Sequence, residues 1–192
     1  MVSRIFLSLI IFSFFISGCD ESSEVKKEVV LFPGGKIKAT YFYYELAGKR
    51  IFHGRYSEFY SSGLIMKKYR LSHGVLNGKF KEYYNGEKLR TKGQYNKGKK
   101  VGVWYYFSPN GDKTIEGKFN HDGIILYIVK YYENGRKQSK EIFDNGNLTK
   151  IQNWSIDGQK LPDKIIDANK TQSAKNEILK ELLESGNQPS KN

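Results

Sequence analysis

Large apolar residues recur through the middle of the chain at a fixed spacing of 24 residues, in three columns. The first column is Tyr56, Phe80, Trp104 and Ile128; the second is Phe59, Tyr83, Phe107 and Tyr131; the third is Leu71, Tyr95, Phe119 and Phe143. A fixed period of this kind is typical of repeat proteins, in which each repeat is one supersecondary unit. The pattern therefore predicts a tandem array of similar units.

Two kinds of turn separate these columns. The first follows the third column, where a short polar residue such as Ser72 or Asn96 is closed by a glycine at Gly74, Gly98, Gly123 and Gly146. The second turn has the pairs Ser62-Gly63, Asn85-Gly86, Asn110-Gly111, Asn134-Gly135 and Asp157-Gly158. Such pairs are the strongest short-range signal for a β-hairpin, because Asn, Asp and Gly accept positive φ. Short runs of strand length lie between the turns, so each unit is predicted to be a hairpin.

Stacking explains why such hairpins would be stable together. A lone hairpin is marginal in water, but hairpins set side by side cover one another's rings. Side chains alternate along a strand, so Tyr56 and Glu58 share one face while Ser57 and Phe59 share the other. We therefore predict a mainly β fold, an elongated antiparallel sheet of tandem hairpins over residues 31–160 with aromatic residues on both faces.

A glycine column also follows the period and fails once. Gly54, Gly78 and Gly102 are 24 residues apart, but the next position is Leu126. We expect the junction at this unit to be distorted. Weaker copies at the two ends of the array, near Phe32 and Trp154, are typical of capping units.

The N-terminus has the three parts of a secretory signal. Arg4 lies in a short basic start, an apolar run covers residues 5–16, and the small residues Ser17 and Gly18 follow. The run is too short for a permanent membrane helix, which needs about 20 apolar residues. Residues 1–18 are therefore predicted to be removed as a signal peptide.

The segment Ile16-Ser17-Gly18-Cys19 resembles a bacterial lipobox, and Cys19 is the only cysteine of the chain. This resemblance implies that the Cys19 thiol receives a lipid and becomes the new N-terminus. Residues 19–30 are mostly polar and are predicted to be the lipidated cysteine and its tether. We expect a cell-envelope protein held to a bacterial membrane by its lipid; whether the inner or the outer membrane holds it stays open.

The C-terminal segment, residues 161–192, has a different pattern. Ala174, Ile178 and Leu182 are four residues apart, which predicts a helix over 173–184 that ends before Gly186. A helix of about three turns is not stable alone in water. It is expected either to cap the last open strand or to bind a partner.

The repeats resemble the bacterial MORN-variant repeat of YwqK-type antitoxins over roughly residues 31–160. The best copies are Gly78-Lys79-Phe80-Lys81-Glu82-Tyr83-Tyr84-Asn85-Gly86 and Gly102-Val103-Trp104-Tyr105-Tyr106-Phe107-Ser108-Pro109-Asn110-Gly111. The resemblance implies an elongated, twisted sheet that serves as a binding or scaffolding surface without a catalytic centre.

The amino-acid composition shows that the chain is strongly basic. Lys and Arg number 32 against 20 Asp and Glu, a net charge of +12, and aromatic residues make up 15%. Such a surplus attracts anionic partners. Anionic lipid headgroups, acidic glycans and acidic protein surfaces are expected partners outside the cytosol, and nucleic acid is not. The alternative is that the lysines only keep the sheet soluble and protect its edges.

No catalytic or metal-binding motif emerges, and no cofactor is expected. His73 shares its repeat position with Lys97, His121 and Asn145, which is typical of a solvent-facing turn. Glu58 and Glu82 share a column with Tyr106 and Lys130, a pattern interpreted as a solvated strand face. The sequence therefore predicts a protein that is not an enzyme.

Three functional hypotheses follow. The first is a membrane-anchored protein-binding module, with an antitoxin or immunity role implied by the resemblance alone. The second is a cell-wall or glycan-binding lipoprotein, since repeated aromatic hairpins also resemble choline- and glucan-binding repeats. An envelope hydrolase is the third, and loss of an activity on changing His73 or His121 would indicate it.

Overall fold

A computed structural model describes residues 24–166, 177, 178 and 180 of the chain. The fold is mainly β, as predicted, and the described strands form one open antiparallel sheet. The strands are β1 Lys26–Leu31, β2 Ile37–Leu46, β3 Lys49–Phe59, β4 Ile65–Ser72, β5 Val75–Leu76, β6 Gly78–Tyr83, β7 Leu89–Asn96, β8 Lys99–Phe107, β9 Lys113–Phe119, β10 Ile125–Tyr131, β11 Lys137–Asp144, β12 Asn147–Asn153 and β13 Lys164–Ile165. They follow one another in chain order across the sheet, except that β5 pairs with β4 alone.

Both predicted kinds of turn are present. The first kind is a two-residue turn with positive φ at both residues, as in His73-Gly74 and Lys97-Gly98. This is the geometry that matches the right-handed twist of neighbouring strands. The second kind is a longer turn, in which the Tyr60 amide donates to the Leu64 carbonyl and the Gly63 amide donates to the Tyr60 carbonyl, both at 2.9 Å. The hairpin prediction is confirmed.

The junction at Leu126 is irregular, as expected, and the register shows how the chain compensates. Between β7 and β8, Lys92 faces Tyr105 and Gln94 faces Val101, so β8 carries a two-residue bulge that contains Gly102 with φ +71°. A leucine would be strained in this left-handed conformation. Between β9 and β10 the bulge is a single residue, Leu126, and the turn before it is one residue longer. The two changes cancel, and the 24-residue register is kept.

One turn departs from the glycine pattern. In the turn that follows Tyr84 a positive φ of +66° falls on Glu87, in addition to the φ of +154° at Gly86 of the predicted pair. In the matching turn of the previous unit, Gly63 holds this position. The repeat keeps its length here, since Tyr84 and Lys88 match Tyr60 and Leu64, but its glycine lies one place too early.

We expect Glu87→Gly to stabilise the fold by about 0.5–1 kcal/mol, because glycine adopts this conformation without a steric penalty. The reverse change, Gly63→Glu, meets no atom within 4 Å and should destabilise by a similar amount through φ alone. Urea unfolding of the two variants measures both effects. A loss of stability in Glu87→Gly would contradict the assignment.

The strand bounds differ from the prediction at both ends of the array. Residues 26–30, predicted as tether, form β1, because Val30 packs beside the buried Ala39 and Tyr41 of β2. Beyond the predicted repeats, β13 pairs with β12.

The helix predicted over 173–184 lies mostly outside the described residues; Glu177, Ile178 and Lys180 are helical. Among the helical residues that the structure describes, none belongs to a helix long and apolar enough to span a membrane.

Candidate binding face

The sheet has two chemically different faces. We call the one that carries Tyr56, Phe80, Trp104 and Ile128 the core face. Its rings form a continuous ladder across the strands: Tyr56 stacks on Tyr69 with centroids 4.8 Å apart, and Phe80 lies 5.6 Å from Trp104. The first predicted column is therefore one packed row.

The deepest packing lies in the second half of the core face. Trp104 and Ile128 are each 1% exposed, and the third-column residues Phe119 and Phe143 belong to the same cluster. Tyr95, also of the third column, lies 4.9 Å from the Trp104 ring. From the C-terminal segment, Ile166 and Ile178 pack against this cluster. Through these two residues the C-terminal segment covers part of the core face.

The column of Glu58 and Glu82 is not a solvated face, and that expectation was wrong. Glu82 is 7% exposed and Tyr106 is 5% exposed. Both lie two residues from a core-face ring, Phe80 and Trp104, so alternation places them on the same face. The Glu82 carboxylate is paired with Arg90 at 3.6 Å and Lys67 at 3.7 Å, which compensates its burial.

Lys100 is a second charged group on the core face. Its Nζ donates to the Tyr106 hydroxyl at 2.9 Å and lies 4.5 Å from the Trp104 ring centroid. Burial lowers the pKa of Lys100 to about 8, and the negative charge of Glu82 partly opposes this shift. A group with a lowered folded-state pKa of this kind destabilises the fold while it is charged.

We expect the free energy of unfolding to rise by about 1–2 kcal/mol between pH 8 and pH 10, since the folded chain releases the Lys100 proton before the unfolded chain does. Burial raises the pKa of Tyr69 and Tyr106 above the ordinary 10.0, so stability should fall again at higher pH. Lys100→Met should remove the rise and be the more stable form at pH 7. A rise that persists in Lys100→Met would assign it to another group.

The opposite face, which we call the open face, carries a regular array of cations. Lys68 of β4 faces Lys81 of β6, and Lys81 faces Lys92 of β7. We call these three residues the lysine row. Lys68 and Lys81 are exposed and Lys92 is half-buried. Within the described part of the chain, no carboxylate forms an ion pair with any of them. Beside this row, Arg55 faces Arg70 on the neighbouring strands β3 and β4.

A shallow groove of about 370 Å³ crosses the open face between β6, β7 and β8. The side chains that line it include Lys79, Lys81, Lys92, Gln94 and Tyr105. Tyr105 continues the lysine row onto β8, where it faces Lys92. The Lys92 Nζ lies 4.9 Å from the Tyr105 ring centroid. The groove thus combines positive charge, an amide and an aromatic ring.

The second column lies on the side of the sheet opposite the first, because three residues separate the two along each strand. Phe107 and Tyr131 are half-buried. The Phe107 centroid lies 5.7 Å from the Lys92 Nζ. The Tyr131 hydroxyl donates to the Glu116 carboxylate at 3.2 Å. The Tyr131 ring centroid lies 4.0 Å from the Lys113 Nζ. Phe59 and Tyr83 hold the matching positions in the earlier units and are also half-buried.

The histidines lie where the repeat register places them. His73 and His121 are exposed turn residues, as expected. His53 and His73 contact each other with ring centroids 5.1 Å apart, a pairing that the sequence did not indicate. No cluster of three or more potential metal ligands occurs among the residues the structure describes. The predicted lipidation site, Cys19, lies outside them.

Comparison with known proteins does not identify the chain. No protein-family model matches it, and no curated protein matches it. Several solved structures are distantly similar, and two of them illustrate the likeness. One is S. aureus TarM, G117R mutant, in complex with fondaparinux, α-GlcNAc-glycerol and UDP, with 15% identity, a TM-score of 0.29, and coverage of 56% of this chain and 19% of that one. The other is a GtfA/B complex bound to UDP and GlcNAc, with 12% identity, a TM-score of 0.26, and coverage of 69% and 25%. This chain thus spans a quarter or less of either structure, and likeness at these TM-scores carries no argument. The MORN-variant resemblance stays a prediction.

Proposed function

We propose that this protein is a membrane-anchored binding module of the cell envelope, which holds an anionic macromolecule on the open face of its sheet. The lysine row carries this proposal, because it places three cations side by side with no described carboxylate paired to them. Under this proposal the core face maintains the fold and the open face makes the contact.

The expected stability cost of these facing lysines supports a functional role for the row. Like charges directly opposite on neighbouring strands destabilise a sheet. Lysines that served solubility alone would work equally well alternating with acids, as Lys67 does opposite Glu82. A row without such alternation is better suited to an anionic partner.

The anchor in this proposal is a lipid on Cys19, from the lipobox resemblance. Growth with an alkyne-tagged palmitate should label the protein in the membrane fraction, and Cys19→Ala should lose both the label and the membrane location. An unlabelled, cytosolic wild-type protein would contradict the proposal. Crosslinking in living cells, with Cys19→Ala as the mislocalised control, then identifies what the anchored protein holds.

Two partner classes are candidates for the open face, an acidic protein surface and an acidic glycan. An antitoxin or immunity role belongs to the first class, and it would require a toxin that acts in the envelope. The groove beside the lysine row is a specific observation in favour of the second class, because it sets the Tyr105 ring next to hydrogen-bonding and cationic side chains.

A further inference from the structure

The lysine row is a line of cations that runs across the strands. Its members lie on the neighbouring strands β4, β6 and β7. Strands in a sheet are about 4.8 Å apart, so the backbone positions of the three lysines span about 10 Å. Tyr105 of β8 extends the line by one strand. An anion that bridges the row would relieve the repulsion between its members.

We propose that the lysine row binds a linear acidic polysaccharide, laid across β4 to β8 with its anionic groups at Lys68, Lys81 and Lys92 and a sugar ring against Tyr105. This inference rests on the proposed function and names its ligand class. The repeat of a pyranose chain is close to the strand separation, so successive sugars can meet successive strands.

The end of the row at Tyr105 fits a sugar acid. The ring centroid lies 4.9 Å from the Lys92 Nζ and 5.8 Å from the Lys113 Nζ. A sugar that packs against the ring can therefore place its carboxylate beside the Lys92 ammonium group, while the Lys113 ammonium group is paired with Glu116 at 3.2 Å. In the same groove Gln94 is exposed and offers an amide for sugar hydroxyls.

The shape of the sheet favours a chain over a membrane surface. Neighbouring strands rotate by roughly 20–25° relative to one another, so the strands from β4 to β8 turn by about 60–75° over three steps. A flat bilayer cannot contact all of such a row, whereas a flexible polymer can follow it.

Composition favours a polyanion over a protein at this position. The cores of protein–protein interfaces are depleted in lysine and depend on buried aromatic or arginine anchors. The lysine row itself contains no aromatic or arginine residue on β4, β6 or β7; on the same face Arg70 of β4 and Tyr83 of β6 lie beside the row and not within it.

The test uses the full chain in a non-ionic detergent and polygalacturonate as the probe, with neutral dextran and digalacturonate for comparison. Binding to polygalacturonate is expected, and neither comparison ligand should bind comparably. The triple change Lys68→Gln, Lys81→Gln and Lys92→Gln should weaken binding by at least about tenfold, since the loss of three charge-assisted contacts exceeds the roughly 1.4 kcal/mol of one decade. Its urea midpoint should be equal to or higher than that of the wild type.

A matched control removes the same charge elsewhere. Lys36, Lys49 and Lys164 are exposed and lie away from the row, and their change to glutamine should leave the affinity within about threefold. Equal weakening by both triple variants would overturn the inference, because net charge alone would then explain binding.

Two further arms separate this inference from the proposed function. If phosphatidylglycerol vesicles or an acidic protein bind through the row while polygalacturonate does not, the ligand class is wrong and the binding module stands. Tighter row-dependent binding of single-stranded DNA would also overturn the ligand class. If no anionic probe distinguishes the row variant from the control, both the inference and the binding face fall.

Discussion

Replacing Gly93 with alanine is expected to destabilise the protein by about 3 kcal/mol or more. An added Cβ at this position would lie 2.2 Å from Cδ2 and 2.3 Å from Cε2 of Trp104. The indole cannot move away, because it is 1% exposed and the rings of Phe80 and Tyr95 pack against it. Urea or thermal unfolding followed by tryptophan fluorescence measures the loss.

Two companion variants make this prediction specific. Gly34→Ala meets no atom within 4 Å, so its effect should stay within about 0.5 kcal/mol. Combining Gly93→Ala with Trp104→Leu should cost less than the sum of the two single changes, because a smaller side chain leaves room for the methyl group. A loss below about 1 kcal/mol in Gly93→Ala would mean that Trp104 is not seated against Gly93.

Glu82→Gln is the second large effect and should cost about 3 kcal/mol. The change keeps the shape of the side chain but removes the carboxylate that pairs with Arg90 at 3.6 Å, and the Arg90 side chain is 10% exposed. Arg90 and Lys67 then hold buried or half-buried charge without this anion. Denaturant unfolding at pH 7 measures the cost.

Glu58→Gln is the matched control from the same repeat position. Glu58 is half-buried and accepts a hydrogen bond from Tyr69 at 3.0 Å, which a glutamine can still accept. Its loss should be about 1 kcal/mol or less. Similar losses in the two variants would show that burial of Glu82 has no special consequence for stability.

The sequence was sufficient for the hairpins because their chemistry is local. Positive φ at Gly74, Gly98 and Gly63 can be read from the residues themselves, and the 24-residue period then orders the units. The irregular junction could also be predicted, since Leu126 cannot adopt the conformation of Gly102. Its remedy, a longer turn that keeps the register, could not be read from the period.

The interpretation of the charged residues was less successful. The column that Glu82 shares with Glu58, Tyr106 and Lys130 is typical of a solvated face, although the spacing of two between Glu82 and Phe80 indicated the core face. With aromatic residues on both faces, the pattern could not decide which face is covered. That depends on contacts from distant segments, such as Ile166 and Ile178 on the core cluster.

The lysine row was missed for a geometrical reason. Lys68 and Lys92 share a repeat column, 24 residues apart, but Lys81 does not belong to it; the three meet because the turn after Tyr84 and the chain between β4 and β6 set the pairing of three strands. The alternation of Lys79 and Lys81 around Phe80 was the available signal. It indicated a basic face, but the row itself required the register.

The most direct test of the open face as the binding face is lysine acetylation with and without saturating polygalacturonate, read out residue by residue by mass spectrometry on the full chain. Protection is expected at Lys68, Lys81 and Lys92, with Lys36, Lys49 and Lys164 unchanged. Equal protection of both sets, or protection confined to lysines outside the row, would contradict the assignment of the open face.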